Sequence, residues 1–515
     1  MKSNQFQKYS KKLLPFVILC GLVLLFTYGL SLTGSDLTLA SRLGEGGPSS
    51  WFTVTTESGG NYLSAFLSAL CVDIPVLRHI LIAAMLCTAM IILLSYCSVE
   101  KSYASYFVLL LGLLPSAGIF AHTFGNIIGA TTVLIPAGLT LLYLFTVTDL
   151  FVYKGRKKGW KIPFLFLSGL ISQFFSESIG IAILLLSVVF LFALTRKYGF
   201  SYHLGGHTFG CLLGITLSLL VTGGQDRFVS NFYDMLDQFT LALDLLFVEN
   251  LILIGLLTLG CLILIQPIRA ERSKNCNKTL FMLLIPTGIF MFLNIIDTPI
   301  QHFPEIYRYL TVIKLIAVIA YLWGILRTMQ HYVSKDRVIM LVRHSVIALA
   351  VFVIAFSFCG TALPNMLYIP ALALVAVTVS VLLYVLHRNS RLDKTIRTPL
   401  IIVAVAGVLA LSFVTDVNSY YCSAVDTHIR EQLAQECTEI TLPRAPYPTR
   451  IVPVTEEQLS DYYNFPSYGE VKITYVPFEK WDWITYYDAH NVPVIQEYDE
   501  DAVETEDWAF EFEED

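Results

Sequence analysis

The chain has 515 residues, of which 55% are hydrophobic and only 14% charged. Soluble domains carry about 25% charged residues, so a soluble globular protein, a disordered chain and a fibre are excluded. The net charge of −6 is the sum of a basic body, +12 over residues 1–415, and an acidic end, −18 over 416–515. An acidic end of that size repels phosphate and excludes nucleic acid as its partner.

The fold class that remains is an all-α polytopic membrane protein. A transmembrane β-barrel would alternate apolar and polar residues, whereas the apolar runs here are continuous. Ten cysteines are scattered without a CxxC or a Cys/His cluster, so no zinc or iron–sulfur site is expected. Those within apolar runs read as small core hydrophobes.

A helical span needs about 20 apolar residues. Thirteen runs qualify: 13–32, 78–97, 103–121, 130–153, 162–175, 178–195, 206–223, 248–266, 279–296, 310–329, 345–362, 366–386 and 398–415. The fifth is short, and the Glu177 break after it is the weakest boundary. The first is too long for the apolar core of a signal peptide, about 7–15 residues, and reads as a signal anchor. Lys and Arg favour the cytoplasmic side. With a cytoplasmic N-terminus, 24 of the 29 bases before residue 416 fall inside. The outer side then keeps Arg42, Arg78, Arg227 and Arg308, with Lys314 just inside the tenth span. The expected location is the plasma membrane, with the C-terminus extracytoplasmic.

The first outer loop, 33–77, is long. Asp36 follows the first span by four residues, at the lipid–water boundary in a loop expected to be hydrated. Tyr62–Val72 reads as an interfacial helix, with Tyr62, Leu63, Phe66, Leu67 and Leu70 on one face and Ser64, Ser68 and Ala69 on the other. Over 225–247, Phe228, Phe232, Leu236, Phe239 and Leu243 share a face opposite Asp226, Asp234, Asp237 and Asp244. That pattern predicts a helix lying in the outer interface; a tilted extra span is the alternative. Shorter outer loops hold His122 and Asn126, the Ser176-Glu177-Ser178 break, and His302, Glu305 and Arg308.

Beyond the last span, residues 416–496 are expected to form a small extracytoplasmic α+β domain. A capping-box-like Ser423–Asp426 opens a helix to about 436, and strands are expected at Glu439–Leu442 and Glu470–Val476. Prolines break the rest. The segment 497–515 holds 11 acids and no base, and is expected to be disordered and solvated. Cys422 and Cys437 both lie outside; a bridge between them, if the compartment is oxidising, would add about 3 kcal/mol.

The layout resembles membrane-embedded glycosyltransferases that use polyprenyl-phosphate sugars, the C-type fold. The stretches that carry the likeness are Gly34-Ser35-Asp36-Leu37, Gly60-Asn61-Tyr62, Ser172-Gln173-Phe174-Phe175-Ser176-Glu177, Gly210–Arg227 and Thr427–Tyr463. They look closest to an uncharacterised bacterial family of this kind. The resemblance implies a catalytic acid at Asp36, as a general base or as holder of a divalent metal ion. It also implies a polyprenyl-phosphate-linked sugar donor and a cell-envelope acceptor. Related sequences often carry a second adjacent acid and an Asn-Gly-Arg-like turn; here Leu37 and Gly60-Asn61-Tyr62 stand instead. Arg227, Arg308 and Arg78 are candidates for holding the donor phosphate, with Glu177 and His122 as further substrate-binding candidates. Each Arg could equally be an interfacial anchor, and Asp36 a capping residue. Two other readings remain open: a transporter or flippase of a lipid-linked or small solute, and a catalytically inactive envelope-assembly protein.

Overall fold

The computed structural model describes residues 30–44, 47–58, 61–96, 117–153, 161–222, 232–270, 274–300, 304–330, 336–358, 368–388, 390–435, 439–447, 454–463 and 471–478, with isolated positions at 21, 23, 24, 27 and 437. It is a helical bundle with one small sheet among those residues. The expected spans at 13–32 and 103–121, and the acidic segment 497–515, lie wholly or mostly outside the described residues.

Three short helices make up the first loop: α1 (Ser35–Leu43), α2 (Pro48–Glu57) and α3 (Tyr62–Asp73). Then come α4 (Pro75–Tyr96), α5 (Ala117–Thr123), α6 (Ile127–Val152), α7 (Lys161–Ser172), α8 (Glu177–Tyr198) and α9 (Tyr202–Thr222). The second half holds α10 (Phe232–Leu243), α11 (Leu251–Ala270), α12 (Lys274–Ile300), α13 (Pro304–Gln330), α14 (Arg337–Phe358), α15 (Tyr368–Arg388) and α16 (Ser390–Ala434). Among the described residues, eight helices are long and apolar enough to cross a membrane, or nine if a bent pair counts as one span. The chain is therefore multi-pass by the length and composition of its helices.

The helices correct the expected spans in three places. At 162–175 only the 12-residue α7 forms, about 18 Å at 1.5 Å per residue and short of a 30 Å hydrocarbon core. The span at 398–415 continues without a break into the helix expected beyond it, as the 45-residue α16; Ser423 is thus a mid-helix residue and not a cap. Between α10 and α11 the chain passes through a π-helical turn, Asp244–Val248, and bends by 61°.

That bend corrects the solvent-facing placement of Asp244. Asp237 is exposed as expected, but Asp244 is buried and ion-paired with Lys314 of α13, whose side chain is 1% exposed. Thr240 and Thr311 bond one turn away at 2.9 Å. Asn250 and Asn294 donate to the carbonyls of Leu245 and Val248, meeting acceptors that the irregular turn leaves open. Residues 225–231 of the expected interfacial helix lie outside the described residues.

The face of α3 is also the reverse of a soluble amphipathic helix. Ser64, Ser68 and Ala69 are buried, while Leu63, Phe66, Leu67 and Leu70 are only half-buried. Lipid tails are as apolar as leucine, so helix contacts in membranes select small residues that let backbones approach. The α7–α9 crossing uses the same device. A Cβ on Gly210 would lie 2.2 Å from the Phe166 carbonyl oxygen, and one on Gly169 would lie 2.5 Å from that of His207.

In the tail, β1 (Glu439–Pro443) and β2 (Lys472–Val476) pair in parallel, with Ile440 opposite Ile473. Between them runs α17 (Glu456–Tyr463), which was not expected from the proline-rich sequence. A capping box starts it: Gln458 N–H donates to Thr455 Oγ1, and Thr455 N–H to Gln458 Oε1. Val425, Ile429, Ile440, Leu442 and Leu459 form the core, and Leu37 of α1 packs into it. Cys422 and Cys437 are free thiols.

Gly210→Leu should lower the melting temperature of the purified chain, by about 1–3 kcal/mol of stability or more. Gly138→Ala, where nothing lies within 4 Å of the added Cβ, should be neutral or slightly stabilising. Lys314→Met should cost about 3–5 kcal/mol because it strands a buried carboxylate, and adding Asp244→Leu should recover most of the loss. A recovery of nothing in the double variant would contradict the pairing.

Candidate functional site

The first loop, 33–77, is fastened to the bundle through Asp36. Gly34 opens α1 at φ 51°, a backbone state that glycine reaches without strain. The turn aims Asp36 at the start of α6. Its Oδ2 accepts the N–H of Ile127 at 3.0 Å and its Oδ1 that of Ile128 at 3.1 Å. These amides are among the unpaired donors of a helix N-terminus, and a carboxylate there is favoured by the helix dipole. Asn126 completes the joint. Its Oδ1 accepts from the Gly129 N–H at 2.8 Å, while its Nδ2 donates to the Thr33 carbonyl at 3.0 Å. Thr33 Oγ1 donates to the Gly125 carbonyl at 3.2 Å.

Asp36 is 0% exposed, so the expectation of a hydrated loop carboxylate is corrected. Burial pushes its carboxyl up from 3.8 to about 6, against the pull of the backbone amides of Ile127, Ile128 and Thr33 and the charge of Arg78. Desolvation is the larger effect because the charged form loses its water while gaining only a few donors.

The neighbouring stretches are joined through α3. The Leu63 N–H donates to the Phe174 carbonyl at 2.8 Å, and Ser64 Oγ to that of Phe175 at 2.8 Å. Ser68 and Thr131 share a hydrogen bond between α3 and the first turns of α6. The turn at 173–176 is therefore covered by α3, and Glu177 is buried rather than solvated at a hairpin tip. Its Oε1 accepts from Ser218 Oγ of α9 at 3.2 Å. His122 stacks on Tyr368 of α15, ring centroids 5.1 Å apart. Arg227 and the side chain of Arg308 lie outside the described residues.

Beside this joint lies a cavity of about 850 Å³, within the range of small-molecule sites. Thr33 and Leu37 on either side of Asp36 line it, with Arg78 of α4 and Tyr421, Arg444 and Tyr463 of the tail. An apolar cavity of about 330 Å³ lies among α4, α6, α14 and α15, lined by Leu81, Met85, Leu141, Phe352 and Val379. Sequence reasoning missed the tail's share of the first cavity. The tyrosines at 462 and 463 gave no periodic signal and sit on the unexpected α17, while Tyr475 belongs to the strand read from alternation, whose place at the cavity comes from the β1–β2 pairing. Among the described residues no three His, Cys, Asp or Glu side chains come together to hold a metal ion. The donors needed for a divalent ion beside Asp36 are thus not assembled there, and no chemistry is derived through one.

No family model, no curated protein and no solved structure matches the chain. The functional reading therefore rests on geometry and on the chemistry of the residues.

The raised carboxyl of Asp36 makes stability depend on pH. A group whose folded pKa lies above its unfolded value contributes stability that is fully present below the unfolded pKa, near 4. That stability is lost as pH rises through about 6. The swing is on the order of 3 kcal/mol for about two pKa units. Melting temperatures from pH 4 to 8 should show wild type losing ground to Asp36→Asn as pH rises. A constant difference between the two proteins across that range would count against the buried carboxylate.

Proposed function

We propose that the chain is a membrane glycosyltransferase moving a sugar from a polyprenyl-phosphate carrier to a cell-envelope acceptor on the outer face. The observation that carries this reading is the joining of three separated stretches through α3 and α6. The start of α3, Asn61–Ser64, bonds Phe174 and Phe175, and Ser68 of α3 bonds Thr131 of α6, whose first amides hold Asp36 of Gly34–Leu37, next to a cavity that the tail helps to line. The same stretches carry the family resemblance.

In this reading the membrane body, 1–415, crosses thirteen times, the short α7 included with its ends shielded by neighbouring helices, and the N-terminus is cytoplasmic and the C-terminus extracytoplasmic in the plasma membrane. The lysine and arginine distribution supports that orientation. Residues 416–496 form the outer α+β domain, and 33–77 with 225–247 form the outer surface elements. Asp36 is the general base. A carboxyl near 6 is ionised at neutral pH and basic enough to take a proton from an acceptor hydroxyl. The hydroxyl oxygen then attacks the sugar's anomeric carbon, and the carrier phosphate leaves with the bonding electrons. Each carboxylate oxygen keeps a lone pair after accepting its backbone amide. The burial of Asp36 requires α1 to shift from α6 before an acceptor can reach it. Arg227, Arg308, Glu177 and His122 remain the candidate substrate contacts around that centre.

A transporter or flippase of a lipid-linked or small solute is the second reading. The bent α10–α11 pair with its buried Asp244–Lys314 contact favours it, because discontinuous helices and intramembrane charges mark transport sites. A catalytically inactive envelope-assembly protein would use the same outer surface without either activity.

A reporter active only outside the membrane should be active when fused after Asp416 and silent when fused at Lys158; the reverse result would invert every outer assignment. Purified chain should transfer radiolabelled sugar from a polyprenyl phosphate. Asp36→Asn should lower the rate by about 10²–10⁴-fold, measured below the melting temperatures of both proteins. Full transfer by Asp36→Asn would move the base elsewhere. No transfer by wild type across many donors, together with solute flux abolished by Lys314→Met, would favour the transporter.

A further inference from the structure

We propose that the bend between α10 and α11 is an alkali-cation site whose ion is built into the chain, the Lys314 ammonium. The inference goes beyond the transferase reading and does not depend on it. It begins with the electrostatics of a helix end. α10 stops at Leu243, and the C-terminal end of a helix carries negative potential. Asp244 adds a carboxylate at the next position, inside the π-helical turn, and is 4% exposed. Two negative sources at one buried point require a positive one. Lys314 of α13 supplies it, with its Nζ 2.5 Å from Asp244 Oδ1.

The other polar groups of the bend are oxygens suited to a small hard cation. Thr240 lies four residues before Asp244, and Thr311 three before Lys314, so each hydroxyl shares a helix face with one member of the pair. The two hydroxyls bond each other at 2.9 Å, and Thr240 Oγ1 also donates to the Leu236 carbonyl. Asn250 is 3% exposed and donates through Nδ2 to the Leu245 carbonyl. Its Oδ1 has no hydrogen-bond partner among the described residues. Glu249, the other acid of the bend, is exposed.

One buried carboxylate among neutral oxygens matches a single positive charge. Divalent ions draw on more carboxylates or on water, and among the described residues no three His, Cys, Asp or Glu side chains come together. Interrupted membrane helices hold sodium with ends of this kind. Lys314 therefore stands where a dissolved ion would. A dissolved ion can leave and free the two half-helices to move, whereas a tethered ammonium stays. The 61° bend is thus held by the chain's own charge at any sodium concentration.

The test uses the full chain in phosphatidylcholine nanodiscs, melted in sodium chloride and in choline chloride at equal ionic strength. Choline carries the same charge and is too large for the place of an ammonium. Wild type should melt at the same temperature in both salts. Lys314→Ala removes the tethered ion and opens its place, so sodium should raise its melting temperature saturably, by about 1–3 °C. Asp244→Asn added to Lys314→Ala should remove that rise. Should Lys314→Ala not fold, Lys314→Ser offers a further hydroxyl oxygen and should show the same rise. Equal melting of the position-314 variants in the two salts would overturn the proposal, as would a rise that survives Asp244→Asn. A sodium-specific rise in wild type that Asp244→Asn abolishes would overturn it too, because the ion at the bend would then be a dissolved one. These measurements read melting and not transfer: a chain that moves no sugar can still pass them, and an active transferase can fail them.

Discussion

The attachment of the first loop depends on one carboxylate meeting two backbone amides. Asp36 accepts from Ile127 and Ile128, and that contact joins the first loop to the bundle. On its far side, α1 sends Leu37 into the core of the tail. The tail, itself continuous with α16 of the bundle, is thus also tied to the first loop through a helix of nine residues. Neither wall of the cavity beside Arg78 would be in place without that joint. A charge so placed is expensive to bury, and the helix N-terminus and its unpaired donors offset the cost. The compromise is a carboxyl near 6 rather than one deep in the acid range.

The bundle beneath follows the rules of a lipid solvent. Large apolar side chains face outward, as Phe192, Leu220, Ile252 and Ile295 do. Small residues make the contacts where helices cross, as at Gly169 and Gly210. Polar side chains inside the bundle are joined in short chains. Tyr321 donates to the Ile254 carbonyl and meets Thr258, which in turn meets Thr287. Tyr143 and His207 stack at 4.0 Å and both bond Ser187. These networks give buried polar atoms the partners that lipid cannot offer. The Asp244–Lys314 pair is the charged extreme of the same principle, placed where the helix is already interrupted.

The cavity and the bent span make separate demands on the outer face. One places the Arg78 guanidinium within electrostatic reach of Asp36; the other holds two opposite charges together within the bundle. The two lie in different parts of the fold, the cavity between the first loop and the tail and the bend inside the bundle.

Much of the helical layout was legible because hydropathy is a local property. The expected spans at 178–195, 279–296 and 310–329 fall within helices of the bundle, and 366–386 overlaps α15 from Tyr368 onward. The strands at 439 and 472 were legible for the same reason, from alternation over a few residues. The importance of Asp36 was also visible, from its place just after an apolar run. Its environment was not, since the amides that hold it lie more than ninety residues away. The same holds for Asp244, whose partner is seventy residues further on, and for Glu177, covered by α3 and bonded to Ser218. Composition could separate an acidic tail from a basic body, but not show that Leu37 would join the tail's core. Sequence alone determined which segments prefer lipid, because each residue's transfer energy is its own. Only the tertiary structure decided which polar groups are buried and which of them lack a partner, because desolvation and pairing belong to neighbours brought together from distant parts of the chain.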